Sequence, residues 1–90
     1  MEKIMEMLVI AKFTSSYDEW KAIYDGDLEL RNTFMKDDLV GKVNNNTAMI
    51  KATITNPEQM EKVMGERIAE IAPTLGLKHE MYTLTIIEND

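Results

Sequence analysis

Residues 39–55 read LVGKVNNNTAMIKATIT. Two runs rich in β-branched residues, 39–43 and 47–55, flank three asparagines at 44–46. Valine, isoleucine and threonine suit a pleated, half-buried surface. Asparagine tolerates positive φ and favours tight turns, so the stretch predicts a β-hairpin. Ala48, Ile50, Ala52 and Ile54 alternate along the second arm and therefore share one face.

The flanking sequence extends this reading in both directions. Residues 4–13 (IMEMLVIAKF) predict a strand, with Met7, Val9, Ala11 and Phe13 on the hairpin's apolar face. Ser15 and Ser16 stand three residues before Asp18 and Glu19, the spacing of a capping box that opens a helix. Tyr17, Trp20, Ile23 and Tyr24 follow at helical spacing, and Gly26 ends or kinks that helix. Residues 28–36 suggest a further turn or short helix. Beyond the hairpin, Asn56, Pro57 and Gln59 supply an N-cap, a first-turn proline and a capping-box partner. Met60, Val63, Met64, Ile68 and Ile71 stripe a second helix, which Pro73 and Gly76 close. Residues 80–88 (EMYTLTIIE) predict a last strand, with Tyr82, Leu84 and Ile86 turned toward the helices.

The order is strand, helix, strand, strand, helix, strand. With right-handed crossovers it predicts an α+β fold, the ferredoxin-like βαββαβ plan, as one domain over residues 1–90. The sheet is four-stranded and antiparallel, with the helices on one face. Its other face would carry Leu8, Ile10, Met49, Met81 and Ile87 among lysines and threonines. That is more apolar surface than a small monomer normally exposes. A two-fold copy of the same sheet would cover it, so a homodimer packed sheet on sheet is expected.

The element order, the short chain and a first helix reading SYDEWKAIYDG around Trp20 resemble the dimeric α+β barrel superfamily. The resemblance implies a sheet-on-sheet dimer forming an α+β barrel. It also implies a ligand cleft between the sheet and helices of each subunit. Members of that superfamily include cofactor-free monooxygenases, isomerases, polyketide cyclases and haem degraders. The haem degraders pair a histidine with an asparagine and a tryptophan, and Trp20 on the first helix departs from that pattern.

Composition narrows the function classes. The chain has 90 residues, with 44% hydrophobic and 29% charged, as in an ordinary globular domain. Its net charge of -6 and scattered basic residues argue against nucleic acid or an anionic membrane as partner. It has no cysteine and one histidine, too few soft ligands for an all-protein zinc site. No metal, nucleotide, haem or other cofactor is implied by any pattern. Glu6 and Lys12 interrupt the apolar N-terminal run, so neither a signal peptide nor a membrane span is expected, and the cytoplasm is the default location.

What remains is a cleft. Met7, Met35, Met60 and Met64 are expected to converge between sheet and helices, as an adaptable apolar lining or as gap filling. Trp20, Tyr24 and Tyr82 could point donors at a guest, or Trp20 could simply pack in the core. Arg31 could fork onto a ligand carboxylate at the cleft mouth, or form a surface ion pair. His79 and Tyr82 are the candidate acid–base groups, against a surface role for the histidine. Asp25, Asp27 and Glu29 begin like a calcium loop, but Leu30 and Lys36 break it and leave a solvated acidic turn, as at Asp37 and Asp38. Two functions fit: binding of a small or long apolar molecule, fatty-acid-like or polyketide-like, or cofactor-independent catalysis on an aromatic or polyketide-like substrate.

Overall fold

The computed structural model describes residues 5–85. In chain order the elements are β1 (Met5–Lys12), α1 (Tyr17–Gly26), α2 (Leu28–Arg31), β2 (Met35–Asn44), β3 (Thr47–Ile54), α3 (Pro57–Leu75) and β4 (Lys78–Leu84). The four strands form one antiparallel sheet in the order β2-β3-β1-β4. This is the ferredoxin-like arrangement expected from the order of elements.

Ser16 caps α1, and the box it forms is with Glu19 rather than the Ser15–Asp18 pair. The Asn56 side chain accepts from the Gln59 amide at 3.1 Å and opens α3 with Pro57 in the first turn. The Gln59 side chain does not complete a box, and turns instead to the Thr33 hydroxyl at 3.4 Å. Pro73 stays within α3, near its end, and the helix closes at Gly76 in the left-handed conformation, φ 61°. A Cβ there would lie 2.1 Å from Thr14 Oγ1, besides adopting a conformation that L side chains disfavour. Gly76→Ala is therefore expected to destabilise by about 2 kcal/mol, read from the urea midpoint. Adding Thr14→Ala should recover only the steric part of that loss.

The hairpin forms at residues 45–46, but not through positive φ. Asp37 is the only described non-glycine residue with positive φ. The turn is held instead by side chains: the Asn46 amide donates to Asn44 Oδ1 at 2.8 Å, and Asn46 Nδ2 donates to the Ser15 carbonyl at 2.9 Å. β2 is also longer than expected. It begins at Met35 and continues past an extra residue inserted between Lys36 and Leu39.

The inner face of the sheet carries Met7, Ala11, Ala48, Ile50, Ala52 and Ile54, all buried, as the alternation predicts. Phe13, Trp20, Leu75 and Leu77 join Ala11, Ala48 and Ile50 in the main core. Met7, Ala52 and Ile54 form a second cluster with Met5, Met35 and Met60.

The phase of β4 differs from the sequence expectation. Ala11 pairs with His79, Val9 with Met81, Met7 with Thr83 and Leu8 with Tyr82. Directly paired residues share a face, so His79, Met81 and Thr83 face the helices. Tyr82, half exposed, and Leu84 lie on the opposite face with Leu8 and Ile10. A one-residue shift in a period of two reverses every side chain. Ile86 and Ile87 lie outside the described residues.

Candidate functional site: the cleft between sheet and helices

A cavity of about 90 Å³ lies between the inner face of the sheet and the helices. Its walls are largely apolar, including Val9 and Ile50 from the sheet and Val63, Met64 and Ile68 from α3. Five of the residues expected to bind a ligand line it: Trp20, Tyr24, Arg31, Met35 and Met64, joined by His79. Met7 and Met60 pack in the second core cluster, outside this lining. Tyr82 does not line it either, because the register of β4 turns its ring to the outer face.

The helical spacing of α1 assembles an aromatic wall. Trp20 stacks on Phe13, with ring centroids 5.3 Å apart and planes 8° apart. It also stacks on Tyr24, at 5.1 Å. The guanidinium of Arg31 lies 3.7 Å from the centre of the Tyr24 ring, in cation–π contact. Arg31 is buried, with only 9% of its surface exposed, not at the surface. It donates through Nη1 to the Tyr24 carbonyl and places Nη2 3.6 Å from Asp38 Oδ2. The Tyr24 hydroxyl donates to the same carboxylate oxygen at 2.6 Å. Burial first, and then this hydrogen bond to Asp38, push the Tyr24 hydroxyl far above its ordinary pKa, so it stays protonated.

Asp38 was not legible as part of this network. The sequence suggests a solvated Asp37–Asp38 turn, whereas the extra residue in β2, with Asp37 at φ 54°, re-aims the Asp38 carboxylate toward α1 and Arg31. The acidic turn at residues 25–29 is likewise not wholly solvated. Asp27 accepts from Arg67 Nε of α3 at 2.9 Å, and both residues line the cavity. The two are 40 positions apart, and only the fold brings them together.

His79 enters the cleft because β4 carries it on the inner face opposite Ala11. Burial lowers its pKa below the ordinary 6.5, so its imidazole is neutral at pH 7. This has a measurable consequence. In acid the unfolded chain takes up a proton on His79 that the folded chain resists. The associated stability is fully present above the ordinary value of 6.5 and is lost as pH falls through the lowered folded-state value. The urea midpoint should fall on acidification from about pH 7.5 to 5.5, and His79→Leu should flatten that dependence. Glu6, held down chiefly by the Thr53 hydroxyl, and Glu80, held down chiefly by Lys12, act in the same direction but below their ordinary 4.5, outside that window.

Among the described residues no helix is long and apolar enough to cross a membrane.

No protein-family model matches this chain, and no curated protein matches it in sequence. Its structure is similar to that of SnoaB, a cofactor-independent oxygenase from Streptomyces nogalater, with TM-score 0.72 and 8% identity over 99% of this chain and 97% of the other. A protein of unknown function from Nitrosomonas europaea aligns with TM-score 0.65 and 11% identity, over 100% of this chain and 98% of the other. A dimeric ferredoxin-like protein from an uncultured marine organism aligns with TM-score 0.56 and 13% identity, over 98% of both chains. Likeness at these identities is one of fold: the chain has a ferredoxin-like fold.

Proposed function

We propose that this protein is a homodimer that binds a compact apolar molecule in the cleft between its sheet and helices. The observation that carries the reading is the cavity itself, apolar-walled, backed by the Trp20–Tyr24 stack, and edged by Arg31, Asp27, Arg67 and His79. Few convergent polar groups on an apolar wall are what a small-molecule site requires. Size favours the smaller of the guests considered. A cavity of about 90 Å³ is far below the roughly 300–1,000 Å³ of a drug-sized site, so a long acyl chain or a multi-ring polyketide would require the helices to part. The dimer is supported by the outer face, where Leu8 and Ile10 on β1 adjoin exposed Met49 and Tyr82, and by a neighbour of the same fold that is dimeric.

Native mass spectrometry of the purified protein, repeated after denaturation, tests this reading. A dimer carrying a small non-protein mass that is lost on denaturing is the expected result. A bare monomer would overturn it.

A second reading, cofactor-independent catalysis, is favoured by His79. A neutral imidazole inside an apolar cleft can take a proton from a bound substrate at pH 7. A neighbour in fold is a cofactor-independent oxygenase. On this reading, a screen of phenolic and ketonic aromatics for oxygen consumption would give turnover that His79→Gln reduces about 100-fold or more. Equal turnover in that variant would remove the histidine from the chemistry.

A further inference from the structure

We infer that the guest presents one neutral hydrogen-bond acceptor, such as a ketone or aldehyde oxygen, to the Nε–H of Arg31. The inference rests on the cleft reading above and specifies the chemical class of its ligand. Arg31 is about nine-tenths buried and lines the cavity, and its Nε is a buried donor without a partner among the described residues. Buried N–H groups are almost always paired, so an unpaired one on a residue that lines a cavity marks where a ligand atom belongs. The rest of the guanidinium is already engaged. Nη1 donates to the Tyr24 carbonyl, Nη2 faces Asp38, and one planar face covers the Tyr24 ring. Nε is thus the one nitrogen of the guanidinium with neither a hydrogen-bond nor an ion-pair partner among the described residues.

Charge balance points the same way. Arg31 is matched by Asp38, Arg67 is matched by Asp27, and burial keeps His79 neutral. A carboxylate guest would add an unmatched negative charge near two aspartates against apolar walls. A carbonyl oxygen accepts the open N–H and adds no charge. The guest that fits is a compact, flat molecule, mostly hydrocarbon, with one carbonyl.

The test uses acetophenone, ethylbenzene and benzoate with the full chain, followed by NMR of the Arg31 Nε–H. Acetophenone should move that proton downfield, and ethylbenzene should not. Arg31→Lys keeps a positive charge opposite Asp38 but lacks the Nε–H. It should weaken acetophenone about ten-fold while leaving ethylbenzene within two-fold. Benzoate should bind the wild-type protein more weakly than acetophenone. An unmoved Nε–H in the acetophenone complex overturns the inference, as does a benzoate complex tighter than the ketone's. Both readouts use the wild-type chain, so they hold even if the variant fails to fold. If ethylbenzene and acetophenone both fail to enter the cleft, the cleft reading fails and this inference falls with it. If ethylbenzene enters and the ketone gains nothing from Arg31, only this inference falls.

Discussion

Trp20→Ala is expected to cost about 4 kcal/mol of folding stability. The indole is 4% exposed and stacks with both Phe13 and Tyr24, with Tyr17 tilted against it at 5.8 Å. Its loss removes the centre of the stack and leaves a void that the rigid sheet behind it cannot close. Removal also adds the void to an existing cavity, so the surroundings have little reason to collapse inward. A domain of this size is stable by only about 5–15 kcal/mol, so a large share would disappear. The thermal midpoint should fall by roughly 15–30 °C, measured by circular dichroism. Tyr17→Ala is the comparison: its half-buried ring sits at the margin of the stack and should cost much less. A Trp20→Ala loss below about 1 kcal/mol would mean that the aromatic wall is not the centre of this core.

The second large effect is on assembly. In the proposed dimer, Ile10→Lys should raise the dissociation constant at least about 100-fold and give a folded monomer at micromolar concentration. Ile10 lies on the central strand β1, directly opposite Glu80 on β4. In the monomer a lysine there stays in water and gains an acidic cross-strand neighbour, so the fold should survive. In a sheet-on-sheet dimer the two-fold axis would bring two ammonium groups into the interface, each stripped of water. The existing lysines escape this cost by pairing at the surface: Lys12 contacts Glu80 at 3.0 Å, and Lys51 contacts Glu6 at 3.4 Å. Sedimentation equilibrium decides the matter. A variant that stays as dimeric as the wild type would place the interface elsewhere.

Much of the architecture was legible in the sequence because local rules and topology agree there. The Asn44–Asn46 hairpin, the Ser16–Glu19 box and the alternation of Ala48, Ile50, Ala52 and Ile54 are set by near neighbours in the chain. The phase of β4 was not legible. Alternation sorts residues into two faces without saying which face turns inward. On β4 the more apolar set, Tyr82 and Leu84, lies on the outer face, while the helices receive His79, Met81 and Thr83. Sequence weight therefore favoured Tyr82 for the cleft, and the register gave that place to His79. The Arg31 network was hidden for another reason. It needs an inserted residue in β2, with Asp37 at positive φ, to turn Asp38 toward the helices, and a turn-like Asp-Asp pair does not announce that. Arg67 of α3 and Asp27, at the junction of α1 and α2, meet only in the folded chain, a contact no local pattern encodes.

The most direct test of the cleft as the functional site is a methyl-labelled NMR titration with ethylbenzene. Shifts are expected at Ile50, Val63 and Ile68, which line the cavity, and none at Leu8 and Ile10 on the outer face. Shifts confined to Leu8 and Ile10, or no shift at any methyl up to the solubility limit, would contradict it.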